Sequence, residues 1–136
     1  MALKNDYLQI AKRALKASND TRKVQEKSAF LAYHAFESAG CALADHDGQG
    51  VGPSVSHNQK IQRFQQAAVN HCDSATQSKI ATTAVLLHNL RNKLLYPNYD
   101  ASSGTFSRPE NMLTQSQSNS LRNDVKGIAD EVGKII

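Results

Sequence analysis

Residues 21–44 constrain the fold of this chain more than any other segment. The helix that they predict is apolar on more than one face, because Val24 and Leu31 lie on one stripe while Phe30 and Phe36 lie on others. A helix that is apolar nearly all round must be covered on several sides. Its small residues would let neighbouring helices approach closely; they are Ala29, Ala32, Ala35, Ala39 and Gly40. We therefore expect this helix at the centre of a bundle or in contact with a second chain.

Four further segments have the apolar spacing of helices, over residues 3–17, 56–71, 74–96 and 114–135. A hydroxyl residue followed three positions later by glutamine predicts a capping box at the start of each of the last three, at Ser56–Gln59, Ser74–Gln77 and Thr114–Gln117. Residues 18–20, Ser-Asn-Asp, are expected to form a turn and to cap the second helix. No stretch alternates with period two, so no strand is expected. The predicted fold class is all-α, an up-and-down bundle of four to five helices in a single domain over residues 1–136.

Composition narrows the class of protein. The formal charge of +4 leans toward an anionic partner, but the basic residues are dispersed, which favours a solvated face over a nucleic-acid footprint. The two cysteines form no disulfide framework and are typical of a reducing compartment. Residues 1–17 are too charged for a signal peptide, and the apolar runs are too short to span a bilayer. We expect a cytoplasmic protein with no membrane contact.

Residues 45–55 form a glycine-rich loop whose acidic residues imitate the start of a calcium loop. Ser56 stands where that loop needs a bidentate glutamate, which favours an ordinary turn. His46 and His57 flank the loop and, with Asp45 or Asp47, offer transition-metal ligands, but no pair has helical metal-binding spacing. We therefore expect no metal and no cofactor.

A polar cluster interrupts the leucines of residues 86–100, LLHNLRNKLLYPNYD. The leucines at 86, 87, 90 and 94 predict one buried stripe, and Pro97 is expected to end the helix at Tyr96, with Tyr99 just beyond. Arg91 lies beside this stripe. A guanidinium there requires a carboxylate, helix-end carbonyls or an anionic ligand, because burying it unpaired is very costly. His34 and Glu37 of the second helix would face Arg91 if the two helices pack together.

Three segments resemble the HEPN family, small helical bundles found in higher eukaryotes and prokaryotes with a presumed nucleotide-binding role. SAFLAYHAFESAGCALADHDG is similar to the family's helix rich in alanine and aromatic residues, and SHNQKIQRFQQAAVNH resembles its Ser-His opening and Ile-x-x-Phe core. LRNKLLYPNYD resembles the signature in which an arginine and a polar residue precede a histidine. On this chain Arg91 and Asn92 match the first two positions, and Tyr96 stands at the histidine position.

The resemblance implies a symmetric dimer whose two arginine–histidine pairs share one cleft, where active members cleave RNA without a metal. The residues placed in the chemistry are Arg91, Asn92 and Tyr96, and those placed at the ligand are His88, Lys93, Tyr99, His34 and Glu37. Tyrosine is a poor general base near neutral pH. The expected function is RNA or nucleotide binding in an arginine-centred anion cleft, with metal-independent endoribonuclease activity if the site is active. The alternative is a non-catalytic module that pairs with a nucleotidyltransferase-like or other protein, as in toxin–antitoxin or defence systems.

Overall fold

The computed structural model describes residues 3–136 and confirms the all-α helical bundle. Its helices are α1 (Leu3–Asp20), α2 (Gln25–His46), α3 (His57–His71), α4 (Ser74–Leu90) and α5 (Gln115–Ile135). Helix α2 contacts α1, α3 and α5, so it is the central helix that its apolar faces predict. Within the described residues, no helix is both long and apolar enough to cross a membrane.

The packing of α3 on α2 depends on a small residue. Phe36 of α2 and Phe64 of α3 are fully buried, and their ring centroids lie 5.1 Å apart. Gly40, one turn beyond Phe36, lies directly beneath the Phe64 ring: a methyl group there would come within 2.7 Å of Phe64 Cγ. The glycine therefore lets the two helices approach closely at this point.

The helix starts match the sequence in part. The capping boxes at Ser56–Gln59 and Thr114–Gln117 are confirmed. The capping box predicted at Ser74–Gln77 is wrong: Asp73 is the N-cap of α4, and its side chain accepts from the backbone N–H of Thr76.

The predicted turn at residues 18–20 is wrong, because these residues complete α1 and α2 begins after Val24 without a side-chain cap. Ser18 is fully buried. It exchanges hydrogen bonds of 2.7 Å with Ser28, hydroxyl to carbonyl in both directions. Its hydroxyl therefore joins two helices and is not used as a cap.

The segment after α4 differs most from the prediction. Helix α4 ends at Leu90, Arg91 is its C-cap, and a 3₁₀ turn over Asn92–Leu94 follows. Leu87 and Leu94 are buried as expected, whereas Leu86, which was expected on the same buried stripe, is 46% exposed.

The expectation of no strands is also wrong. Strands β1 (Asn98–Asp100) and β2 (Thr105–Ser107) form an antiparallel hairpin with Tyr99 opposite Phe106, and a 3₁₀ turn over Pro109–Asn111 leads to α5. Gly104 has φ +68°, a backbone conformation that suits glycine in a tight turn. Three residues per strand are too few to produce a recognisable alternation.

Candidate functional site

Arg91 lies where α4 ends and the 3₁₀ turn begins. Its Nη2 lies 3.0 Å from Nε2 of His57, and its Nη1 donates to Oδ1 of Asn92 over 3.3 Å. The guanidinium also lies 5.8 Å from the ring centroid of Tyr33. Its Nε is buried and has no hydrogen-bond partner among residues 3–136. The buried N–H of Nε thus lacks an acceptor among these residues, while Nη1 and Nη2 contact an amide and an imidazole.

His57 connects Arg91 to Glu37. Its Nδ1 lies 2.7 Å from Oε2 of Glu37, a side chain that is only 11% exposed. A guanidinium only donates hydrogen bonds, so Nε2 of His57 is the acceptor and the ring proton lies on Nδ1, which donates to the carboxylate. His57 is therefore a neutral imidazole whose tautomer is fixed by its two neighbours.

Glu37 is held from two further sides. The hydroxyl of Tyr33 donates to the same Oε2 over 2.8 Å, and Nζ of Lys60 lies 3.7 Å from Oε1. Burial raises the pKa of Tyr33 well above its ordinary value, and the hydrogen bond to Glu37 raises it further. The phenol therefore stays protonated and keeps donating to the carboxylate.

Tyr33, His57 and Arg91 border a cavity of about 300 Å³ between α2, α3 and the end of α4, whereas Glu37 and Lys60 do not line it. Its floor is apolar, formed by Ile61, Ala84 and Leu87. Polar groups line the remainder; they include Ser56, His57, His88, Arg91 and Asn92. A small apolar-floored cavity with converging polar groups is typical of a ligand site.

The electrostatics of the cavity favour an anion. Arg91 and Lys60 carry two positive charges and Glu37 one negative charge, so with His57 neutral the group keeps one positive charge. His57 is also the first residue of α3, and the partial positive charge of a helix N-terminus adds to the same sign. Phosphate and carboxylate are the anions that such donors bind in proteins.

The structure gathers some of the predicted site residues. Arg91, Asn92 and His88 line the cavity, and Glu37 lies next to it through His57. Of the partners considered for Arg91, the carboxylate of Glu37 does not contact it directly; His57 lies between the two side chains.

The other predicted residues lie outside the cavity. Tyr96 is 61% exposed and follows the 3₁₀ turn, because α4 ends too early to carry it. Tyr99 packs on Phe106 of the hairpin, with ring centroids 5.1 Å apart. Lys93 and His34 are exposed and do not line the cavity.

Two residues of the site were missed in the sequence. Tyr33 stands four residues before Glu37, the spacing at which two side chains meet on one helix face. His57 directly follows the capping serine of α3, which predicts that it lies at a helix start. Neither signal shows that Arg91 lies beside the same helix start, since this depends on how α3 and α4 pack.

The two histidines that flank the α2–α3 loop, His46 and His57, do not lie together. His46 lies beside His71, with ring centroids 5.0 Å apart, whereas His57 pairs with Glu37. Over residues 3–136 no group of three or more histidine, cysteine, aspartate or glutamate side chains is placed to hold a metal ion.

Comparison with known proteins gives no family assignment: no protein-family model matches the chain, and no curated protein matches its sequence. Function is therefore argued from the cavity.

Proposed function

We propose that this chain is a HEPN-type helical protein whose Arg91 cavity binds a phosphate group of RNA or of a nucleotide. One observation carries the proposal. The guanidinium of Arg91 has a buried, unpartnered Nε, and within residues 3–136 no carboxylate lies within ion-pair distance of it. A buried N–H donor that lacks an acceptor is costly, and a phosphate bound to the guanidinium would supply one.

The phosphate would bind between Arg91 and the start of α3. The planar guanidinium matches two phosphate oxygens at once, and Asn92 adds a side-chain amide at the same rim. The resemblance to the family, with Arg91 followed by Asn92 in its signature positions, supports the same ligand. It also supports a symmetric dimer in which a second copy completes the cleft, and metal-independent cleavage of RNA as the activity.

A second candidate function is the non-catalytic partner module. Tyr96, Tyr99 and Phe106 are each more than 60% exposed, although large aromatic side chains are usually covered. They form an aromatic surface on and beside the hairpin, which a protein partner or a second copy of the chain would cover. Light scattering of wild type and Phe106→Ser tests what covers this surface: a dimer that the variant breaks identifies a second copy, and a monomer in both leaves the surface to a different protein.

Binding is tested with Arg91→Ala and a matched control, Arg13→Ala. Arg13 is exposed on α1, which packs on α2 and α5, away from the cavity. Fluorescence anisotropy with a labelled single-stranded RNA, in EDTA and at fixed salt, gives the dissociation constant of each protein. Loss of a charge-assisted hydrogen bond to phosphate should weaken binding by about tenfold or more in Arg91→Ala, with little change in Arg13→Ala.

The melting temperature separates a binding role from a structural one. Arg91→Ala is expected to melt near wild type, since the variant also removes an unsatisfied buried donor. Equal RNA affinity of Arg91→Ala and Arg13→Ala would refute the phosphate site, and unfolding of Arg91→Ala alone would make the arginine structural.

A further inference from the structure

We infer that His57, positioned by Glu37, is the general base of this cavity, and that the ligand is RNA, whose 2′-hydroxyl it deprotonates. The inference rests on the proposed phosphate site. It assigns the proton transfer to a residue of α3 in place of Tyr96, which lies outside the cavity and is 61% exposed.

The geometry around His57 is that of an oriented base. A general base must be neutral, with the lone pair of one nitrogen directed at the reacting group. Glu37 accepts the proton of Nδ1 over 2.7 Å, which leaves Nε2 as the basic nitrogen on the cavity side, where it meets Arg91. The carboxylate would also stabilise the imidazolium that forms when Nε2 takes a proton.

Glu37 is itself fixed in place. Tyr33 and Lys60 hold both of its oxygens from opposite sides, and the carboxylate is nearly buried. The orientation of His57 is thus determined by side chains of α2 and α3 before any ligand arrives. Such preorganisation avoids the cost of ordering the base during the reaction.

Arg91 links binding to catalysis. In the free protein one of its N–H groups occupies Nε2 of His57. A phosphate that binds the guanidinium competes for the same donors and releases Nε2, so the base becomes available only next to a bound phosphate. The ribose 2′-hydroxyl beside that phosphate is then the proton donor within reach.

The proposed step is a transesterification. Nε2 of His57 takes the proton of the 2′-hydroxyl, a bond forms between O2′ and phosphorus, and the bond between phosphorus and O5′ breaks. The leaving O5′ takes a proton from water, and the imidazolium of His57 returns its proton to the resulting hydroxide. The products are a 2′,3′-cyclic phosphate and a 5′-hydroxyl, and Arg91 stabilises the charge on the phosphate oxygens.

Glu37 and Tyr33 of α2 and Arg91 at the end of α4 lie against His57, and a fourth titratable group, Lys60 of α3, pairs with Glu37. Glu37 is the only carboxylate among these four, so it alone opposes the positive charge that His57 gains with a proton. Replacing Glu37 with glutamine should therefore move the acid limb of the pH–rate profile to lower pH.

The test uses a mixed-sequence single-stranded RNA in EDTA and a 2′-deoxy oligonucleotide of the same sequence. Wild type should cleave the RNA to 2′,3′-cyclic phosphate ends and bind the deoxy oligonucleotide without cleaving it. His57→Gln should cleave about 10²- to 10⁴-fold more slowly, the usual contribution of a general base, with RNA affinity within a few-fold of wild type. Glu37→Gln should cleave the RNA more slowly than wild type, and the acid limb of its pH–rate profile should lie at lower pH.

His71→Gln is the matched control, because His71 lies on the same helix and pairs with a carboxylate, Asp47. Its cleavage rate should equal that of wild type. If His57→Gln melts early, His57→Ala with added imidazole replaces it, and recovery of cleavage by imidazole supports the base.

Failure of the inference and failure of the proposed function give different results. Arg91-dependent binding of RNA that wild type does not cleave overturns the base and leaves the phosphate site intact. Equal cleavage by His57→Gln and wild type also overturns it. Absence of Arg91-dependent binding overturns both.

Discussion

The two ends of α3 carry the same pair of residue types and use them differently. At the start of α3, His57 pairs with Glu37 of α2; at its end, His71 pairs with Asp47, the residue that follows α2. Both pairs fasten α3 to α2. The two pairs differ in the other side chains that contact them.

At the end of α3, Asp47 also accepts hydrogen bonds from two amide side chains. Its carboxylate oxygens accept hydrogen bonds from Gln49 over 2.8 Å and Asn70 over 3.1 Å, and the ring of His71 lies 2.9 Å away. At the start of α3 the third partner is the cation Arg91, which lies at the imidazole and borders a cavity. The His71–Asp47 pair thus stabilises the packing of α3, whereas the His57–Glu37 pair is also a candidate for proton transfer.

The largest effect is expected from removing the ring of Phe64, which packs on α2 between the two ends of α3. Phe64→Ala should lower the free energy of unfolding by about 3–5 kcal/mol, because a fully buried aromatic ring leaves a cavity against Phe36. Urea denaturation measures the loss. Phe106→Ala, on the exposed hairpin, should stay within about 0.5 kcal/mol of wild type. Similar losses for the two variants would mean that the polar pairs, and not the core, hold α3.

A smaller effect should come from Tyr33→Phe, which removes one hydrogen bond from Glu37. We expect a loss of about 0.5–1.5 kcal/mol, with no loss for the matched change at the exposed Tyr96. The pKa of Tyr33 is raised above 10.0, so this contribution is complete below pH 10 and disappears as the pH rises through the higher folded-state value. Urea denaturation at neutral and alkaline pH measures the loss of stability and its dependence on pH. A loss that grows with pH would contradict a donating phenol.

The smallest effect is expected at the other end of α3. Hydrogen bonds from Gln49, then from Asn70 and His71, lower the pKa of Asp47 below its ordinary value of 3.8. Its contribution to stability is therefore present above that value and lost as the pH falls through the lower folded-state pKa. Asp47→Asn should melt slightly earlier than wild type at neutral pH, and the difference should vanish in acid. Asp124→Asn, an exposed carboxylate of α5, is the control; a difference for Asp47→Asn that persists in acid would refute the assignment.

The same comparison shows what the sequence reveals. Periodicity predicts the bundle and the central place of α2, and spacing predicts the capping boxes at Ser56 and Thr114, because these features depend on residues close together in the chain. Arg91 stands out for the same reason: a guanidinium beside buried leucines needs a partner wherever the helix packs.

Contacts between distant residues were beyond the reach of such patterns. His57 lies 34 positions before Arg91, and their contact depends on how α3 and the end of α4 pack together. The end of α4 was also missed: Pro97 marks a limit on the helix, but the 3₁₀ turn begins several residues earlier. That early end leaves Tyr96 outside the cavity.

The bridging imidazole between Arg91 and Glu37 has a kinetic consequence. Because His57 is neutral and separates the two charges, the positive field of the guanidinium is not cancelled by a carboxylate in direct contact. An anion approaching from solution is therefore attracted before it touches the protein, and its association rate constant should fall as ionic strength rises.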